Sequence, residues 1–146
     1  MVENMTQTLA VPGAELYYEV RGTGPLLLIG QSGDGDASRS ADLVEQLAAD
    51  FTVISYDRRG LARSPLTDPQ QAVTPESHAE DMHRLLASLT DEPAVVLGCS
   101  VGALYGLQLA ADHPGQVSVL VAHDPATPGL LPEADRERIQ ETLADI

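Results

Sequence analysis

Tryptophan is absent from this 146-residue chain, phenylalanine occurs once, and aromatic residues make up 3% in all. A core without large rings must be filled by Leu, Val, Ile and Ala. That filling suits a buried parallel sheet with covering helices better than an aromatic-rich sandwich. Basic residues are also scarce, 8 against 22 acidic, for a net charge of -14. With no basic stripe to neutralise phosphates, nucleic acid is excluded as a partner. Cys99 is the single cysteine, so no internal disulfide can form, in keeping with a reducing compartment. No apolar run approaches the roughly 18 residues that span a bilayer, and the opening MVENMTQ lacks the charged-then-apolar order of a signal peptide. The expected location is the cytoplasm, with no membrane partner. Internal repeats are lacking too.

What is present is a 43% hydrophobic, 21% charged chain with the length of one ordinary domain. Alternation in residues 15–20 (ELYYEV), after Pro12-Gly13, predicts a strand paired as a hairpin with residues 8–11. Residues 26–29 are wholly apolar, as in a central strand buried on both faces. A Gly, Asp and Ser loop (GQSGDGDAS) follows. Leu43, Val44 and Leu47 then recur at helical spacing over about 37–49, and residues 51–56 (FTVISY) are β-branched and strand-like. Thr74-Pro75-Glu76 has the cap, first-turn proline and early acid of a helix start. That helix runs to about Leu89 with Met82, Leu85, Leu86 and Leu89 as its apolar stripe. His78, Glu80, Asp81 and Arg84 are expected to face water, and His83 to be solvated. Residues 94–98 and 117–123 read as strands around a small-residue helix over 101–112. The fold class is therefore α/β, a doubly wound and mostly parallel sheet. Residues 125–146 break the rhythm with three prolines, then give a charged helix with Ile139, Leu143 and Ile146 on one side.

Gly98-Cys99-Ser100-Val101-Gly102 fits G-x-S-x-G between a strand and a helix, the setting of a nucleophile elbow. The sharp turn strains the serine backbone at the strand tip. Any side chain two residues before or after it would collide with the neighbouring strand or helix. Cys99 reads as a packing residue.

From LLLIG (26–30) through SYDRRGLARS (55–64), GCSVGA (98–103), ADHPGQV (111–117) and LVAHDPA (120–126), the chain resembles the α/β-hydrolase superfamily. The resemblance covers nearly the whole chain but only the N-terminal half to two-thirds of that fold. It implies the first six of eight strands, a core over residues 1–124 and the start of a helical cap over 125–146. Ser100, after the fifth strand, would be the nucleophile. The oxyanion amides would come from Val101 and Ser32, with Gln31 the neighbouring candidate. The family usually has His-Gly where this chain has Gly30-Gln31. Asp124, just beyond the next strand, is either the acid of a triad or a loop and capping residue.

The family order ends on a histidine, and of the four here only His123 lies on the right edge of the sheet, as a minor alternative for the base. His113 follows a helix of twelve residues, which carries it roughly 18 Å from the elbow. His123 adjoins Asp124, and neighbours in extended chain point to opposite sides. Arg58, Arg59 and Arg63 either bind an anionic substrate or tie down their loop through acidic neighbours.

The implied activity is hydrolysis of a small ester or related acyl compound, with a small-molecule substrate and no cofactor or metal. A serine at the elbow argues against dehalogenation. Peracid chemistry and C–C bond cleavage use the same triad, and a non-catalytic binding or assembly module is the other alternative. Without its histidine such a site keeps only about 10³ to 10⁴ over water. The stop within a charged helix leads us to expect a portion of a longer enzyme, the alternative being a natural short protein. In both cases the apolar strand 117–123 is expected to be covered, by self-association or by a partner segment.

Overall fold

A tight turn at Pro12-Gly13, with Gly13 at φ 80, joins the first two strands of the computed structural model, which describes residues 5–144. Strands β1 (Met5–Val11) and β2 (Ala14–Arg21) pair antiparallel from Val11 opposite Ala14 out to Met5 opposite Val20. Alternation then decides which face of β2 is covered: Ala14, Leu16, Tyr18 and Val20 are buried. The remaining strands are β3 (Leu26–Gly30), β4 (Thr52–Tyr56), β5 (Ala94–Cys99) and β6 (Val117–His123). β3 pairs parallel with β4 and β5, β5 pairs parallel with β6, and β2 joins β4 antiparallel. The order β1-β2-β4-β3-β5-β6 is thus a mostly parallel, doubly wound sheet with one antiparallel edge, as the sequence predicts.

One face is covered by α2 (Pro75–Leu89) and α3 (Val101–Asp112). Tyr18, Leu28, Ile54, Tyr56 and Val96 meet Ala79, Met82, Leu85, Leu86 and Leu109 there. Met82, Leu85 and Leu86 have no exposed surface, and burial of such a side chain is worth about 1.5–3 kcal/mol. α2 starts as expected: the Thr74 hydroxyl accepts from the Ser77 N–H, the Ser77 hydroxyl accepts from the Thr74 N–H, and Pro75 opens the first turn. Its polar side departs from expectation. His78 and Asp81 are buried, Asp81 against Arg59 of the loop after β4 and His78 against Tyr105 of α3, partners that no helical periodicity could show.

Among the described residues the opposite face carries only α1 (Ala41–Leu47), which packs Val44 on Leu27, Ile29 and Val53. A single helix over 37–49 is replaced by a 3₁₀ turn (Ala37–Ser40), capped by Asp36, and then α1. These two short turns reach the sheet through Val44, with Leu47 partly buried beside it, and Leu43, read as apolar-face, is 40% exposed. β6 is left at the edge with Val119 and Val121 exposed, and beyond it α4 (Glu133–Ala144) completes the described chain. Leu143 belongs to α4, but its side chain lies outside what is described, as does Ile146 altogether. Among the described residues no helix is long and apolar enough to cross a membrane.

Candidate active site

β3 connects outward to β4, whereas β5 returns on the other side of β3, so the winding reverses between β3 and β5. Ligands of open α/β sheets bind in the crevice outside the strand carboxyl ends at such a reversal. Gly30 and Gly98 face each other across it in register. β5 ends there at Cys99, and Ser100 turns the chain directly into α3.

Ser100 has φ 54 and ψ -118, a conformation that side-chain-bearing residues rarely adopt. Its backbone is held on both sides. The Ser100 N–H donates to the His123 carbonyl at 3.0 Å, and its carbonyl accepts from Ala103 at 3.0 Å and Ala126 at 3.2 Å. Among the described residues its hydroxyl has no hydrogen-bond partner and caps nothing. Glycines make the turn possible. A Cβ on Gly98 would lie 2.6 Å from the Ala103 Cα, and one on Gly102 would overlap the Gly30 carbonyl. The expected collisions at both flanking positions are therefore present.

Val101 opens α3, so its N–H has no acceptor within the helix. Across the reversal, Gln31 is buried and its side-chain amide donates to the Ser40 hydroxyl at 2.8 Å. Ser32 follows, and the N–H groups of Ser32, Gly33 and Asp34 have no acceptor among the described residues. Amides without an acceptor thus occur in the loop after β3 and at the start of α3, the two segments whose backbones meet at Gly30 and Gly102. Asp124 stands just past β6 at φ 47, exposed, with no side-chain hydrogen bond among the described residues. It caps no helix, and its backbone crosses beside Ser100 between the two contacts made by His123 and Ala126.

The loop after β4 is tied by ion pairs, as one of the two sequence readings had it. Asp57 is fully buried; it accepts the Ala37 N–H at 2.8 Å and the Arg63 guanidinium at 2.7 and 3.0 Å. It thereby joins the β3 and β4 loops. Arg59 is held by both oxygens of Asp81 at 2.6 and 2.7 Å. Arg58 takes no acid; it hydrogen-bonds three backbone carbonyls of residues 31–33. With Arg58 and Arg59 buried and occupied, neither is free for an anionic substrate.

None of the four histidines hydrogen-bonds the serine hydroxyl. His78 stacks on Tyr105 at 4.5 Å, and burial first, then Arg58 and Arg59, push its pKa down to about 4. His113 ends α3 and meets Glu80 at 2.6 Å, while its ring stacks on His83 at 3.7 Å. Glu80, His83 and His113 come close enough for a metal to be considered. The two imidazoles lie within 4° of parallel, however, so their in-plane lone pairs cannot converge on one ion. His123 sets Nδ1 3.6 Å from the Cys99 Sγ across the β5–β6 pair.

Cys99 is exposed rather than packed. No described helix covers β5 and β6 on that face, and the thiol lines an open hollow of about 530 Å³ with Leu97, Val121 and His123. A second hollow of about 530 Å³ lies at the start of α3, between Val101, Leu104, Pro125, Ala126, Leu131 and Ile139. Its apolar lining sits next to Ser100 in the chain. Sequence reasoning missed this hollow, the amides of Gly33 and Asp34, and the grip of Arg58. Only the Gly- and Ser-rich composition of the loop hinted at the amides.

Residues 25–144 match the family model described as the alpha/beta hydrolase fold. The chain is 42% identical over 139 residues to the uncharacterized hydrolase YraK of Bacillus subtilis, covering 95% of this chain and 51% of that protein. It is 32% identical over 121 residues to a zearalenone hydrolase of Bionectria ochroleuca, covering 80% of this chain and 46% of that one. A crystal structure of a hydrolase from Pseudomonas aeruginosa superposes with a TM-score of 0.79 at 31% identity, over 98% of this chain and 54% of that one. The chain spans about half the length of the relatives it matches.

Proposed function

The chain belongs to the α/β-hydrolase family, and on that premise we propose that it carries the nucleophile half of a serine hydrolase acting on a small ester or related acyl compound. The observation that carries this reading is the backbone of Ser100. A serine at φ 54, between glycines that tolerate no side chain, with its hydroxyl free, is costly geometry that packing alone does not require.

In this mechanism the Ser100 Oγ attacks the substrate carbonyl carbon as its proton passes to a base. The amides of Val101 and Ser32, with Gln31 the neighbouring candidate, hold the oxyanion. The leaving alcohol departs with the proton, and water then releases the acid and restores the serine. Asp124, whose backbone runs beside Ser100, is the acid that orients the base. The apolar hollow between Val101, Leu104 and Pro125 takes the hydrocarbon part of the substrate, and residues 125–146 begin its cap. The base comes from a segment outside residues 1–146 or from a second chain, since every histidine here is turned to another partner. The assembly is soluble and cytoplasmic, and the exposed edge of β6 is covered by a second copy or a further segment.

Intact mass after fluorophosphonate treatment, run on the full-length gene product beside Ser100→Ala, tests the reading. One adduct on the wild type and none on the variant is the expected result. No adduct on either, or equal labelling of both, overturns it and leaves binding or assembly as the role of the fold.

A further inference from the structure

Arg58 is 4% exposed, yet among the described residues no carboxylate pairs with it. A buried guanidinium without a counter-ion is expensive, so its hydrogen bonds should have a purpose. Nη1 donates to the carbonyl of Gln31 at 2.8 Å and to that of Ser32, and Nη2 donates to Gly33 at 2.8 Å. Nε has no partner, and the guanidinium carbon lies 5.6 Å from the centre of the Tyr105 ring. Its own N–H is fixed to the Gly35 carbonyl at 2.9 Å, and the side chain packs against Gly35, where a Cβ would come within 3.2 Å of it. One planar group therefore grips three consecutive carbonyls.

The consequence follows from peptide geometry. No peptide bond here is cis, and in a trans peptide the C=O and N–H point in opposite directions. Carbonyls of Gln31, Ser32 and Gly33 drawn to Arg58 leave the N–H groups of Ser32, Gly33 and Asp34 directed away from it. Those three amides have no acceptor among the described residues. Each of these amides is a donor still to be used, and the buried cation behind them adds to the field an anion would meet there.

We propose that Arg58 is the positioning residue that presets the oxyanion site, by holding the carbonyls of residues 31–33 so that the following amides stand free as donors before substrate arrives. The inference rests on the Ser100 reading and deepens it. Donors fixed in advance need no reorganisation as charge develops on the substrate oxygen, which is where an enzyme gains most from them. Lysine would keep the charge but lacks the planar fork that spans adjacent carbonyls.

The test is the rate of Ser100 phosphonylation by a fluorophosphonate, in which Oγ displaces fluoride at phosphorus and the phosphoryl oxygen occupies the oxyanion site. Wild type, Arg58→Met, Arg58→Lys and Arg58→Ala are compared in the full-length gene product. Losing oxyanion donors costs about 10²- to 10³-fold. Arg58→Met should lose about 10²-fold in the maximal rate of inactivation, with the concentration for half-maximal rate nearly unchanged. Arg58→Ala should recover at least tenfold when free guanidinium is added. A rate for Arg58→Met within twofold of wild type overturns the proposal, and so does a loss confined to probe affinity. If Arg58→Met does not fold, Arg58→Lys carries the comparison, with a loss of about tenfold expected and none overturning it. Absence of adduct on the wild type sinks the Ser100 reading instead. The hold on the loop is then read from amide shifts on Arg58→Met or Arg58→Lys: changes centred on Ser32, Gly33 and Asp34 support it, and unchanged amides overturn it.

Discussion

Gly102 lies so close against Gly30 that a methyl group on the first would overlap the carbonyl oxygen of the second. The contact is backbone to backbone, so neither side can yield by rotating a side chain. It locks the start of α3 onto the end of β3 and fixes the width of the crevice beside Ser100. Gly102→Ala is expected to destabilise by about 3 kcal/mol, the upper range for overpacking. Gly115→Ala, where added bulk meets nothing within 4 Å, should stay within about 0.5 kcal/mol of wild type. Urea denaturation of the two variants checks the contrast.

Asp81 and Arg59 are both almost wholly buried, and two short hydrogen bonds join them. Removing one partner strands the other charge. Asp81→Ala should cost about 3–5 kcal/mol, whereas the double replacement Arg59→Met with Asp81→Leu should recover most of that loss. Chemical denaturation of single and double variants is the measurement.

His78 is kept neutral in the folded chain, with its pKa pushed from 6.5 down to about 4 by burial and by the two arginines. Between those values the unfolded chain binds more protons, so this histidine favours unfolding as pH falls. Its contribution is fully stabilising above pH 6.5 and is lost progressively down to pH 4. Allowing for partial contact with water, the loss is about 2 kcal/mol, at 1.36 kcal/mol for each pKa unit. Thermal melts over this range should show the slope in wild type and a flatter limb in His78→Gln.

Val119 and Val121 present an apolar stripe on a strand that, among the described residues, is paired on one side only. Charged residues, lysine above all, are what native edges use against strand addition. Val119→Lys with Val121→Lys should convert an associating chain into a monomer in sedimentation velocity. A wild type that stays monodisperse and monomeric at high concentration refutes the expectation.

How much was legible follows the range over which each signal acts. The hairpin, the capped start of α2 and the Ser100 turn rest on neighbours within a few residues, and the spacing of glycine, proline and threonine exposes them. The reach of Arg59 to Asp81 crosses 22 residues, and that of Arg58 to Gln31 crosses 27. Three arginines near acids and glycines in the sequence admit many pairings, and only the folded chain selects one. His78 and Asp81 were misplaced for the same reason, since a polar residue on a helix reads as solvated until its buried partner is known. Leu43 and Cys99 were misplaced oppositely: an apolar residue reads as covered, and on the α1 face the described chain leaves β6 and the end of β5 open. Roles at Ser100, Asp124 and the oxyanion loop are readings of chemistry, which the elbow geometry supports and labelling must decide.

The sheet order also sets a sequence of events in time. β2 pairs with β4 and not with β3, so the amino-terminal hairpin has no edge to join until residues 52–56 exist. As the chain emerges from a ribosome at about 5–20 residues per second, the hairpin waits roughly two to seven seconds for its partner. Over that interval Leu16, Tyr18 and Val20 lie uncovered on a two-stranded ribbon, which is marginal in water on its own. Newly made chains should therefore be most vulnerable to chaperone capture and proteolysis while β3 and α1 are being synthesised, before β4 closes the gap between the hairpin and the rest of the sheet.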